Sequence, residues 1–542
     1  MIAADTPTVF AAFEDSARRW PDRPFLQVLP ETAQVYGIEA GEIAYAAALQ
    51  EVEALAARLE AAGYGAGHRV MVLLGNRPAF FLWFLALNRI GASIVPLNPD
   101  LRTAEQAYMM GNAEPVLVVS VPDRVEDLRG AAREADVELA VIAPGDPLPA
   151  PREGGRIALR DGPPQEAEAA LLYTSGTTGQ PKGCVLNNTY YLQCGRWYEE
   201  AGGLCALGHE GERMLTPLPV FHMNAMAASF MAMVAVGGCL IVLDRFHPRS
   251  WWASVRESRA TCLHYLGVIP SILMQAEPSP ADRDHQVRFG FGAGVDPKLH
   301  APFEERFGFP LVEGWAMTET GCAAGLTNNR EPRRVGESCL GRPEPYMELR
   351  IVDDAGTDAA TGQPGELLVR RAGADPRFGF FTEYFRNPQA TAEVWEGGWF
   401  HTGDVVRQEA DGSVFFVDRK KNVIRRSGEN IAAVEVESAL MRHPAIRAAG
   451  VAAVPDELRG DEVLAMLVVE GQGDASLARE ITEWCLTRLA YYKAPGYIAF
   501  VDALPLTATQ KIQRGALKTQ AAELLSDPAT HDLRPLKKRT AA

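Results

Sequence analysis

Residues 174–183 read Thr-Ser-Gly-Thr-Thr-Gly-Gln-Pro-Lys-Gly, a composition suited to holding a polyphosphate. Glycines let backbone N–H groups crowd around phosphate oxygens, and hydroxyls add further donors. Lys182 adds a cation, and Pro181 stiffens the exit. This is not a Walker A loop, because the G-x-x-x-x-G-K-[ST] spacing is absent. A plain surface loop is the competing reading. Ten consecutive suitable positions directly after the apolar run Leu171-Leu-Tyr173 weigh against it. A second glycine pair, Gly292-Ala-Gly294, follows the apparent strand 287–291 and lacks the third glycine of a dinucleotide fingerprint.

The elements that would carry these loops alternate. Residues 45–62 have helical apolar periodicity and end at Gly63, a suitable C-cap. Residues 68–74, 92–97 and 115–120 read as short apolar strands, with helices over 78–90 and 105–111 between them. Such βαβα alternation predicts largely parallel sheets covered by helices. The stretch 121–168, rich in Pro, Asp, Glu and Gly, reads as surface connection. A second α/β series runs over about 169–345. Residues 346–418 are more β-rich, and a small block of strands and helices follows from 420. The expected fold class is α/β. A large N-terminal domain (1–419) holds parallel-rich sheets flanked by helices plus a β-rich subdomain. A small α+β C-terminal domain (420–530) and a frayed polar tail (531–542) complete the chain.

Composition bounds the function. The chain has 542 residues, 47 % of them apolar and 23 % charged, with a net charge of −16. It is long enough for more than one domain, and ordinary enough to exclude a disordered or fibrous protein. An acidic surface argues against nucleic acid or an anionic membrane as partner. None of the eight cysteines forms a Cys-x-x-Cys pair or a zinc spacing with histidine, so reduced thiols in a cytoplasmic protein are expected. No signal peptide is visible. Residues 225–243 are uncharged, but Gly237-Gly238 interrupts them; they read as buried helix, turn and strand, not as a membrane span.

The 174–183 loop resembles the signature loop of the adenylate-forming superfamily, which includes acyl-CoA synthetases, peptide-synthetase adenylation domains and luciferases. Four further segments resemble its motifs in the right order. They are Gly314-Trp-Ala-Met-Thr-Glu-Thr320, Gly398-Trp-Phe-His-Thr-Gly-Asp404, the hinge segment 418–430, and Pro505-Leu-Thr-Ala-Thr-Gln-Lys-Ile512. The resemblance implies an ATP-dependent ligase that joins a small-molecule carboxylic acid to CoA through an acyl-AMP. It implies that Thr174, Ser175, Gly176, Thr177, Thr178, Gly179 and Lys182 hold the β- and γ-phosphates. Thr318 would bind the α-phosphate, and Glu319 would hold Mg²⁺. Trp315 would stack on the adenine, with Ala316 and Met317 beside it in the cofactor site, and Gly292, Ala293 and Gly294 would line the adenine and the reacting acid. Asp404, assisted by Arg419, would accept the ribose hydroxyls. Lys511 would bridge the carboxylate and the α-phosphate. Lys421 matches the hinge about which the C-terminal domain rotates, and Gly428 would lie against the pantetheine arm. His222 stands where the family places an aromatic or gating residue.

Two positions depart from the family's pattern. Gln510 stands where glycine usually precedes the lysine, and it disfavours any positive φ there. If Gln510 is limiting, Gln510→Gly speeds pyrophosphate release; an unchanged rate removes the idea. Ala316 replaces a common glycine. Acetyl-specific relatives carry tryptophan there, so alanine makes a two-carbon acid a poor fit. Pocket candidates are Phe221, His222, Met223, Asn224, Met226, residues 265–268 and residues 322–325. They include no basic cluster for a second carboxylate. The segments around 221–222, 245–252 and 418–430 look closest to the carnitine/crotonobetaine-CoA ligase branch. Its quaternary-ammonium substrates would need an aromatic cage, and a medium aliphatic or aromatic acid is equally open. A carrier-protein or amine acceptor and a non-catalytic AMP-binding protein are the rival readings. A homodimer is allowed by the sequence but not required.

Overall fold

The computed structural model describes residues 2–159, 161–174, 180–353, 355–419, 423–471, 473–505 and 512–538, without the side chains of 418 and 419. Among these residues the strands form four sheets. One runs in the order Leu326–Thr327, Leu311–Trp315, Phe289–Ala293, Cys262–Leu266, Arg213–Thr216, Cys239–Val242, Pro24–Val28, Gly41–Ala44. All its inner pairings are parallel, and only the two edge strands are antiparallel. A second sheet sets Ser93–Pro96, Arg69–Leu73, Leu117–Ser120 and Val141–Ile142 in parallel beside the antiparallel hairpin Glu168–Thr174/Lys182–Asn187.

Helices Val9–Arg19, Tyr45–Ala61, Pro78–Arg89, Asn188–Glu200 and Phe230–Val236 pack into one core with these sheets. Pro78–Arg89 shows why: its PAFFLWFLALNR sequence has no polar face, and every residue from Phe80 to Asn88 is buried. Residues 225–243 are helix, a left-handed turn at Gly237, and strand, as expected. No helix among the described residues is long and apolar enough to cross a membrane.

The β-rich subdomain is a third, antiparallel-dominated sheet built from Met347–Val352, Gly365–Arg371, Phe400–Gln408, Val414–Arg419 and Cys339–Gly341. The fourth sheet and helices Ala433–Leu440, Ala475–Leu486 and Arg514–Leu524 form the smaller C-terminal domain, with a hydrophobic core of its own. Its central hairpin pairs Ile446–Asp456 with Gly460–Val469.

Two expectations are corrected. Residues 121–168 are not all connection: Val125–Glu134 is a helix burying Leu128, Ala131 and Ala132, and Val141–Ile142 joins the sheet. The abundance of Asp, Glu and Gly hid an i, i+3, i+6 apolar stripe. The tail is not frayed over 531–538. His531–Asp532 pairs with Tyr497–Ile498, and Lys537 is buried against Glu462 and the Tyr492 carbonyl.

Candidate active site

The parallel strands Cys262–Leu266, Phe289–Ala293 and Leu311–Trp315 end side by side, and one cavity of about 360 Å³ lies beyond their carboxyl ends. That is where open α/β sheets bind ligands. The edge hairpin adds Thr174 and Lys182, the β-rich subdomain adds residues 400–404, and the C-terminal domain adds Val423, Arg425, Gly428 and Asn430. Gly292 is required by close packing: a Cβ there would stand 2.2 Å from the Tyr265 carbonyl oxygen.

Of the residues singled out in the sequence, Thr174, Lys182, His222, Gly292, Ala293, Gly294, Trp315, Ala316, Met317, Thr318, Glu319, Asp404 and Gly428 all line this one cavity. Ser175, Gly176, Thr177, Thr178, Gly179, Lys421, Gln510 and Lys511 lie outside the described residues, as does the Arg419 side chain.

At one end of the cavity the Tyr384 hydroxyl donates to Glu319 Oε1 at 2.7 Å, and Lys182 Nζ sits 5.0 Å from the Tyr384 ring centroid. Burial, and then the neighbouring Glu319 carboxylate, push the Tyr384 pKa far up, so it stays a donor. At another end Trp315 Nε1 donates to Asp404 Oδ2 at 2.8 Å. Asp404 is 2 % exposed, and this bond fixes its carboxylate. Also on the wall, Glu313 Oε1 accepts from Val295 N at 3.2 Å, and burial raises its pKa.

The C-terminal domain meets the large domain at the cavity. His222 Nε2 lies 3.3 Å from Glu429 Oε2. Gly428 has φ +90°, and a Cβ there would meet Leu266 Cδ1 at 2.2 Å, so only glycine fits both the turn and the gap. Away from the cavity, Lys493 Nζ lies 2.6 Å from Glu105 Oε1 of the large domain and 2.6 Å from Glu435 Oε1 of its own. Burial would depress the Lys493 pKa, but the two carboxylates overcome it and raise it. Asn98 Nδ2 donates to the Tyr492 hydroxyl at 3.0 Å across the same interface.

The pocket candidates divide. His222, Met223, Asn224, Leu266, Cys322 and Gly325 are on the wall; Phe221, Met226, Tyr265, Gly267, Val268, Ala323 and Ala324 are not. Strand alternation turns Tyr265 away from Leu266, and its hydroxyl bonds the Val312 carbonyl at 3.3 Å. Met226 is fully buried behind the wall, with the Tyr191 hydroxyl 3.5 Å from its sulfur. Tyr384, Glu313 and Trp197 were missed. Tyr384 sits on the two-residue edge strand Glu383–Tyr384, whose only sequence signal is the aromatic run before it.

A family model described as AMP-binding enzyme matches residues 13–375, and one described as AMP-binding enzyme C-terminal domain matches residues 435–511. The chain belongs to the AMP-binding enzyme family. Within curated members, the crotonobetaine/carnitine–CoA ligase of Escherichia fergusonii is 31 % identical over 484 residues, covering 86 % of this chain and 92 % of that protein. Among solved structures, the amide bond synthetase of Marinactinospora thermotolerans superposes with a TM-score of 0.79 at 25 % identity, covering 94 % and 99 % of the two chains. The o-succinylbenzoate CoA synthetase of Bacillus subtilis, 24 % identical, covers 94 % and 98 %. Its double mutant bound to a product analogue superposes at 0.77, and its complex with AMP at 0.61.

Among the described residues no cluster of three or more His, Cys, Asp or Glu could hold a metal.

Proposed function

We propose that this protein is an ATP-dependent carboxylic acid:CoA ligase. One observation carries the reading: a phosphate-type end (Lys182, Tyr384, Glu319), a nucleoside-type end (Trp315, Asp404) and the C-terminal domain's Arg425 and Gly428 meet on a single cavity.

The chemistry needs that arrangement. A carboxylate is a poor electrophile. Its attack on the α-phosphate of ATP gives acyl-AMP and releases pyrophosphate. The thiol of CoA then attacks the acyl carbon, AMP leaves, and the thiol proton is released. The first step brings two anions together, so fixed cations and donors must offset their repulsion. Lys182 and the 174–179 loop would take the β- and γ-phosphates, and Thr318 the α-phosphate. Asp404, held by Trp315, would accept the ribose hydroxyls with Arg419 beside it. Lys511 would neutralise the reacting oxygens. Hard oxygen donors fit Mg²⁺, and a single buried carboxylate, Glu319, suits an ion that takes its other ligands from phosphates and water. Bound there, Mg²⁺ would supply charge neutralisation of the phosphates.

The second step needs the lysine withdrawn and a thiol channel formed, with rotation about Lys421. The present arrangement, with Gly428 on the cavity and His222 beside Glu429, suits the thioester step.

The test is pyrophosphate release with ATP and Mg²⁺ across short, medium, aromatic and betaine-type acids, with and without CoA. Acid-dependent release with an acyl-CoA product is expected. Release without thioester would move the acceptor to an amine or a carrier protein. No release from any acid would overturn the ligase reading.

A further inference from the structure

A chain of hydrogen-bonded side chains lies behind the Asn224 wall of the cavity. His264 is fully buried at the back of the cavity, 5.4 Å (ring centroids) from Phe291. Burial lowers its pKa to about 3, so it is neutral and carries one ring proton. Its Nε2 contacts the Tyr198 hydroxyl. Its Nδ1 lies 2.7 Å from Asn224 Oδ1 and 2.8 Å from Ser229 Oγ.

The proton positions follow by elimination. Tyr198 is fully buried, and its hydroxyl has no other acceptor among the described residues, so it donates to Nε2. Nδ1 therefore carries the proton and donates to Asn224 Oδ1. The Ser229 hydroxyl donates to the Asn224 main-chain carbonyl at 3.1 Å and completes the set. With its oxygen turned back into the wall, the Asn224 amide leaves Nδ2 on the cavity side. Among the described residues no acceptor meets it.

The rest of this wall is apolar. Trp197 and Phe291 form a corner, with centroids 5.7 Å apart and planes at 49°, and Met223, Ala228 and Cys322 complete it. Two rings could attract a cation. The positive edge of an amide beside them works against one and favours an oxygen.

We propose that the acid activated here carries a hydrogen-bond-accepting oxygen (carbonyl, ether or hydroxyl) on an otherwise apolar tail, received by Asn224 Nδ2. Tyr198 and His264 are positioning residues that fix which edge of that amide faces the substrate. The inference rests on the ligase reading and narrows its substrate class.

The test uses acid pairs matched in size: 5-oxohexanoate against heptanoate, 4-oxo-4-phenylbutanoate against 5-phenylpentanoate, and 4-(trimethylammonio)butanoate as a cation without acceptor. In acid-dependent pyrophosphate release, the oxo acid of each pair is expected to lead by about 10- to 10²-fold in kcat/KM, the range set by leaving a buried donor unpaired. Asn224→Leu should abolish or invert that ratio. Tyr198→Phe should lower it as well. Without the phenol the imidazole proton can shift to Nε2, Nδ1 then accepts from Asn224, and Oδ1 turns to the cavity. A merely structural loss would lower both acids of a pair alike and leave the ratio unchanged. Equal rates within the pairs, a lead for the betaine, or a ratio untouched by Asn224→Leu would overturn the inference and leave the ligase standing. No release from any acid would overturn both.

Discussion

Lys511→Ala is expected to slow acid-dependent pyrophosphate release by ~10²–10³-fold, the loss typical of removing one preorganised stabiliser of developing charge. Thioester formation from presynthesised acyl-AMP should survive almost unchanged. The asymmetry follows from the proposed chemistry. The first half-reaction joins a carboxylate to a polyphosphate and needs a cation between them. The second attacks a neutral acyl carbon and needs room for a thiol. Among the described residues, the C-terminal domain places Val423, Arg425, Gly428 and Asn430 on the cavity wall. Equal losses in both half-reactions, measured separately, would refute the role given to Lys511.

Lys493→Met is expected to do the reverse. Lys493 is 6 % exposed on its side chain and bridges Glu105 of one domain to Glu435 of the other. Removing one partner of a buried ion pair costs ~3–5 kcal/mol, because the charges left behind are uncompensated. Here two carboxylates would face each other across the domain interface. The Glu105 share of that cost falls only on the arrangement in which the domains meet here, so under the proposed rotation its population should drop by ~10²-fold. The thioester half-reaction should fall with it while pyrophosphate release is retained. Adding Glu105→Gln removes the repulsion between domains and should recover part of the loss. If the double variant is no better than Lys493→Met, the damage lies inside the C-terminal domain and the interdomain account fails.

The alternating elements were legible because each carries its own period. Residues 78–89 are apolar on every side and can only be a buried helix. Local signals also pointed to Thr174, Lys182 and Gly292-Ala-Gly294, which line the cavity. The contacts that make a site of them were not legible, because they join residues far apart in the chain. The Trp315–Asp404 bond spans 89 residues and the Tyr384–Glu319 bond 65. Nothing near Tyr384 in sequence says that its edge strand will lie against Lys182–Asn187. Strand parity explains the pocket residues that were misplaced: Leu266 and Tyr265 are neighbours in sequence and face opposite sides of one sheet. The Lys537–Glu462 contact was hidden for a different reason. A basic C-terminus looks solvated until the carboxylate waiting for it inside the fold is known.

A ligase of the proposed kind, which builds a mixed anhydride, must avoid acylating itself. Cys322 stands on the wall of the same cavity, within the chamber where an acyl phosphate would form. Only a thiolate would compete with the incoming acceptor. The hydrogen bond with Cys194, followed by burial, raises the Cys322 pKa well above that of a free thiol. The side chain therefore behaves as a small apolar surface and not as a nucleophile. In the proposed reaction its inertness would spare the intermediate. A change that exposed Cys322 or set a cation beside it would turn a ligase into a protein that inactivates itself by thioesterification.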